Sequence, residues 1–340
     1  MPYVPASRLA LPALLIAALT SGGLAQSTAG SSGTDGAASS APVALKAGST
    51  LPDQGRTGAT RDLLVDAQPG LAAVASVTKS SSGSVSSAPA SAALTAAVKG
   101  YVPMAPAAGA PPAPPAKAAA VEKIGDASKY PYRAAGEIEV HYGNNYYYCT
   151  ATLIGPKTLA TAAGCLWGIE GAPAFADSVI FYPAVNDGNA PFGTYEFSDY
   201  VVMQGFIDAF SHATSDGPLP YAIGLVHLKE AAGDKLGWFG FQTDINESYT
   251  GRAITYGSGA MLHQMATTTC PVDVASMYRS FAFPAPCASD GNGSPFYMDD
   301  TSGGGGKIIH GFNVEAFNDG STGETRISPV VYQWISDNRQ

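Results

Sequence analysis

Few residues in this chain could do chemistry. They are four cysteines (Cys149, Cys165, Cys270, Cys287), five histidines (His141, His212, His227, His263, His310) and one compact polar turn, Asp290-Gly291-Asn292-Gly293-Ser294-Pro295. The cysteines form no Cys-x-x-Cys and have no His at ligand spacing, so disulfides are the main reading of an even count and zinc the minor one. The histidines show no metal-type spacing, and each reads as a surface or strand residue before a ligand or a base. Asp299 and Asp300 lack the further oxygen ligands that calcium needs and read as a solvated turn. No metal and no cofactor is expected.

The elements that would position these residues occupy only part of the chain. Of 340 residues, with 18 Lys+Arg and 27 Asp+Glu, the first 120 hold seven basic and four acidic side chains, no Cys, and only Tyr3 and Tyr101 of the aromatics. The last 220 then carry 11 basic and 23 acidic residues, net −12, a poor match to nucleic acid or an anionic membrane. One positive charge in Met1–Arg8 and an eleven-residue apolar run, Leu9 to Leu19, are too short for a span and fit a secretory signal cleaved after Ala25, giving segment 1–25. A secreted product is therefore expected. Segment 26–120, rich in Ala, Ser and Pro, reads as a disordered linker or propeptide, because so few large apolar residues cannot offset the entropy of ordering. Within it, Leu63–Val65 and Leu71–Val77 are the places where a short helix is expected.

Residues 121–340 read as an all-β domain. Short β-rich runs alternate with Gly, Pro, Asn and Asp turns, among them Gly136–Tyr142, Tyr146–Leu153, Thr158–Thr161, Ala222–Leu228 and Lys307–Val314. Only Val330–Asn338 has helical spacing, with Val331, Trp334 and Ile335 on one face. In Tyr142–Tyr148 the Gly-Asn-Asn centre suits a hairpin turn, and alternation would turn Tyr146 and Tyr148 inward with Tyr147 outward. The aromatic run is alternatively a contact surface.

Lys129–Val140 followed by Cys149–Cys165 (CTATLIGPKTLATAAGC) resembles the start of the glutamyl-endopeptidase-like branch of the trypsin-like serine peptidases. The similarity continues in order through Cys270–Val274, Cys287–Tyr297 (CASDGNGSPFY), KIIHGFNV and RISPVVYQWI. It implies two six-stranded antiparallel β-barrels with a C-terminal helix, preceded by the disordered leader, and an active site between the barrels. It also implies the disulfides Cys149–Cys165 and Cys270–Cys287, each closing a loop for which chain entropy gives about 3 kcal/mol.

At the catalytic positions the chain departs from that resemblance. Acyl transfer needs a nucleophile, a base within reach and a carboxylate to orient the base. Gly164 stands at the base position, Pro220 at the orienting acid and Asn292 at the nucleophile; Asp216 and Ser294 are the nearby substitutes. Asp290 falls where relatives place an oxyanion-hole glycine, and a carboxylate there would oppose a developing oxyanion. Asn313 falls where glutamate-specific relatives show a pocket histidine, so Asp290 and Asn313 are expected to line a binding cleft. The leading expectation is a catalytically inactive, secreted homologue that binds a protein or peptide between its barrels, with a protease inhibitor or an active peptidase among the candidate partners. The alternatives are an active endopeptidase using Ser294 with one of the five histidines, and an unrelated adhesion or carbohydrate-binding β-domain.

Overall fold

The computed structural model describes residues 43–44, 49–50, 69–102, 120–168, 174–212, 221–243, 249–257, 262–272, 292–301, 306–316 and 322–340. The signal segment 1–25 lies outside them. Two short strands come first, β1 (Val43–Ala44) and β2 (Ser49–Thr50), then the hairpin β3 (Ser76–Ser80) and β4 (Val85–Ala88), and helix α1 (Ala92–Gly100). Gly83, at φ +89°, supplies the left-handed residue of the hairpin turn. Ser91 caps α1 by accepting the Leu94 N–H, and Leu94 and Val98, four apart, are the buried face.

After β5 (Glu122–Lys123) the chain builds a barrel from β6 (Ala135–Tyr142), β7 (Asn145–Leu153), β8 (Thr158–Ala162) and β9 (Ser178–Pro183). It continues through β10 (Asn189–Ala190), β11 (Tyr195–Met203), helix α2 (Gln204–His212) and β12 (Ile223–Leu228). The antiparallel order β12-β8-β7-β6-β9-β11 closes because β11 also pairs with β12, so six strands make one closed barrel. Ile138, Leu153, Leu159 and Phe181 fill it. Tyr147 belongs to this core, whereas Tyr148 leans on the other sheet; the expected alternation is reversed. The Cys149–Cys165 disulfide ties β7 to the turn after β8.

Helix α3 (Ala232–Leu236) leads to the second sheet, made of β13 (Gly240–Phe241), β14 (Tyr249–Tyr256), β15 (Met265–Val272), β16 (Pro295–Asp299), β17 (Lys307–Ala316) and β18 (Thr322–Arg326). Its order is β13-β17-β16-β14-β15-β5 with β18 on β17. The expected second six-stranded barrel is therefore not reproduced: among the described residues this sheet does not close on itself. Helix α4 (Pro329–Asn338) ends the chain, capped by Ser328 and burying Val330, Val331, Trp334 and Ile335. Its last turn is held where His227 donates Nε2–H to the Asn338 carbonyl at 2.7 Å while Nδ1 meets Asp199 at 2.5 Å.

The expectation of a disordered stretch up to residue 120 fails for residues 69–102. β3 extends the first sheet along β11, pairing with Asp199–Met203 where β9 has left that edge after Tyr195 and Glu196. Val74, Val77, Leu94, Val98 and Tyr101 are buried. The Trp334 indole donates to Ser76, Ser91 donates to Asp337, and Arg326 donates to Tyr101. This segment has too few apolar residues for a core of its own but needs none, because it adds a strand and a helix to a core already present. Leu71–Val74 forms a turn and Val77 lies in a strand, so the short helix expected there is absent; Leu63–Val65 lies outside the described residues.

Candidate functional site

Three segments meet where the two sheets face each other. Asn292 and Gly293 enter β16, and Gly293 has φ +88°. A Cβ at Gly293 would lie 2.1 Å from the Thr150 carbonyl and 2.4 Å from Thr161 Oγ1, so only glycine fits. The turn is fixed on both sides: the Thr150 N–H donates to the Asn292 carbonyl at 2.9 Å and the Gly293 N–H donates to the Asn313 carbonyl at 2.7 Å. Asn313 N–H returns a bond to Ser294 at 2.9 Å. The Asn292–Ser294 turn, β7 and β17 are thereby locked together.

The end of β8 brings in the second segment. A Cβ at Gly293 would also sit 3.1 Å from the Ala162 N, and two residues later Gly164 lies in a one-turn 3-10 helix, Ala163–Cys165. Gly164 does not adopt the left-handed backbone, and a Cβ there meets only the Phe206 ring of α2, at 3.8 Å. Its backbone would accept a side chain; the sequence supplies none. The third segment is the start of β12, where the Ala222 carbonyl accepts the Ala163 N–H at 2.7 Å. Pro220, two residues earlier, lies outside the described residues, as do Asp216, Asp290 and Cys287; Cys270 is on β15 but its side chain is likewise outside.

The substitutes take other roles. Ser294 is 1% exposed and points its hydroxyl at Thr150 Oγ1, 3.5 Å away. His141 binds Glu139 at 2.6 Å, His227 binds Asp199, and His263 binds Glu137 at 2.7 Å. His310, buried on β17, is pushed down to about 4 by burial and stays neutral at neutral pH. The side chain of His212 lies outside the described residues. Asn313 is buried, 3% exposed, and meets the site through its backbone.

Two contributors escaped sequence reading. Glu137 sits inside GEIEV, where alternation marks it as outward-facing, but the second sheet covers that face. Phe206 lies on a helix whose N-terminus is held by the segment 69–102: Gln204 and Gly205 N–H groups donate to the Ala75 and Ala73 carbonyls. No motif announces either.

No family model matches the chain. An extracellular metalloprotease of Bacillus subtilis (strain 168) is 25% identical over 219 residues, 63% of this chain and 66% of that protein. A glutamyl endopeptidase of Bacillus licheniformis is 26% identical over 184 residues, 53% of each. The chain spans less than two thirds of the length of either relative. Among solved structures, a Glu endopeptidase in complex with MPD superimposes with a TM-score of 0.50 at 16% identity, over 64% of this chain and 95% of that one. The fold is that of the trypsin-like serine peptidases. Among the described residues no three His, Cys, Asp or Glu side chains converge to hold a metal ion.

Proposed function

We propose that this chain is an exported, catalytically inactive peptidase homologue that works by binding a protein or peptide in the cleft between its two sheets. The observation that carries the reading is the contrast within one site. The glycine that shapes the nucleophile turn is kept where nothing else fits, while the adjoining positions that should carry base and nucleophile are Gly164 and Asn292. A glycine cannot accept a proton and a carboxamide is a poor nucleophile, so the acyl-transfer roles have no holders there. An active enzyme built on Ser294 is disfavoured because that residue is 1% exposed and its hydroxyl points at Thr150 Oγ1.

Export is supported by the apolar N-terminal run and by the extracellular location in the name of one relative. Among the described residues no helix is long and apolar enough to cross a membrane. The acidic balance argues for protein partners over nucleic acid or anionic lipid, and a peptidase-like fold suits a protease inhibitor, an active peptidase or an extended peptide segment as the partner. Incubating the purified protein with a fluorophosphonate probe tests the reading. No labelling is expected; stoichiometric labelling at Ser294 would overturn it in favour of the active-endopeptidase alternative.

A further inference from the structure

Among the described residues, three neighbours share one edge of β7. The other edge of that strand pairs with β6 along its whole length, from Thr152 opposite Ala135 to Asn145 opposite Tyr142. On the shared edge β8 pairs only with Thr152 and Leu153, and the Thr150 N–H goes to the Asn292 carbonyl. Backbone groups two residues apart in a strand face the same way, so the Tyr148 N–H and carbonyl open onto this edge beside the Asn292–Ser294 turn. The leader meets them there. Strand β2 lies parallel to β7, with Ser49 beside Tyr147 and Thr50 beside Tyr148. A strand edge of this kind is a template on which any extended chain can pair.

The leader is fixed a second time a few residues earlier. Strand β1 pairs antiparallel with β10, Val43 beside Ala190 and Ala44 beside Asn189. Both anchor points border the seam between the two sheets, where His263, from the connection between β14 and β15, touches each of them. Its carbonyl accepts the N–H of Gly188, immediately before β10, at 3.2 Å, and its ring meets Tyr148 edge-on at 4.6 Å. This attachment differs in kind from that of residues 69–102, which bury Val77, Leu94 and Val98 in the core. β1 and β2 are two residues long, within Val43 to Thr50 (VALKAGST), and are joined to the barrel by strand pairing. Main-chain pairing asks for an extended backbone more than for a sequence, and two residues of it are few enough to exchange.

We propose that the β7 edge at Tyr147–Tyr148 is a docking edge for an extended peptide, and that strand β2 is its resident occupant: the leader covers the edge until a peptide adds itself to β7 in its place. This rests on the peptide-binding reading above and gives it a location and a means of regulation. Leader and edge belong to one chain, so β2 competes at the high effective concentration of a tether. A peptide displaces it by making further contacts along the seam, which sets a threshold against weak, non-specific strands. The segment lies beyond the expected signal cleavage after Ala25, so the exported chain keeps its own competitor.

Amide hydrogen exchange on the full chain, read by NMR at Tyr148, Thr150 and Leu159, tests this. Tyr148 is expected to be protected in the unmodified protein. Ser49→Pro with Thr50→Pro removes the donors of β2 and should speed Tyr148 exchange by about tenfold or more. Thr150, held by Asn292, and Leu159, inside the barrel, should not change. A synthetic peptide of residues 43–50, added at about 1 mM, the order of concentration a short tether supplies, should restore Tyr148 protection in the variant. An unprotected Tyr148, or protection indifferent to the prolines, would show that the leader does not occupy the edge. Failure of the peptide to restore protection would reduce β2 to a structural cover and overturn the docking edge. Should the double variant not fold, Ser49→Pro alone gives the same comparison. These outcomes are independent of catalysis: fluorophosphonate labelling of Ser294 would end the inactive-homologue reading with the exchange results standing, and the exchange results can fail with Ser294 unlabelled.

Discussion

Gly293 packs against the Ala162 N–H, two residues before Gly164, yet the two glycine backbones make opposite demands. At Gly293 a methyl group would drive into the Thr150 carbonyl from a left-handed φ of +88°, so Gly293→Ala is expected to destabilise the protein by about 3 kcal/mol or more. Gly164→Ala meets one aromatic edge at ordinary contact distance from an unstrained backbone and should change stability by about 0.5 kcal/mol or less. Chemical denaturation of the two variants checks both. If Gly164→Ala proved as costly as Gly293→Ala, glycine would be structurally required at 164 and its presence would say nothing about lost chemistry. This pair also marks what was legible residue by residue. Gly164, Asn292 and Ser294 could be placed from their flanking motifs, because a strand end and a tight turn fix local register. Glu137 could not, since alternation says which face a residue takes but not what later covers that face.

The docked segment of residues 69–102 changes the account of the N-terminal region. Val77 completes the edge of β11, while Leu94 and Val98 of α1 are buried near α4. At about 1.5–3 kcal/mol for each fully buried aliphatic side chain, removing these three alone withdraws several kcal/mol, a large share of a typical domain's stability. Deleting residues 1–102 is therefore expected to lower the melting temperature by about 10 °C or more, or to leave the chain insoluble. The milder Leu94→Ala should cost about 2–5 kcal/mol. Both are read by thermal or urea unfolding, and an unchanged midpoint on deletion would show that the segment only rests on the surface. Composition hid this element for a physical reason. A segment that borrows a core needs one apolar residue per turn or per pleat, so Ser and Ala fill the rest and the average resembles a spacer. The strands of residues 135–162 and the helix α4 were legible for local reasons: β-rich runs bounded by Gly, Pro and Asn turns for the strands, and i, i+3, i+4 apolar spacing for the helix.

On the scale of the whole molecule, motif order over residues 121–338 carried more than any single motif. Segments far apart in sequence meet where the sheets face each other: the Gly293 turn packs on the Ala162 N–H, and the Ala163 N–H bonds the Ala222 carbonyl. What order could not give was closure. The first barrel seals through the β11–β12 pairing, whereas the second sheet stays open among the described residues. Nor could it reveal that the sheets are bound by a buried acid and imidazole rather than by apolar contact alone.

Restoration of chemistry tests the central claim most directly, because it asks whether the positions are right and whether they are all that is missing. Gly164→His, Pro220→Asp and Asn292→Ser together should yield weak but measurable hydrolysis of a small activated ester, while each single variant stays silent because triad members act as a unit. Adding Asp290→Gly should raise the rate further, since one oxyanion-hole donor is worth about 2.7 to 4 kcal/mol. Ester hydrolysis by the unmodified protein, or by any one of the single variants, would contradict the account by revealing a working partner that the proposed inactive site does not contain.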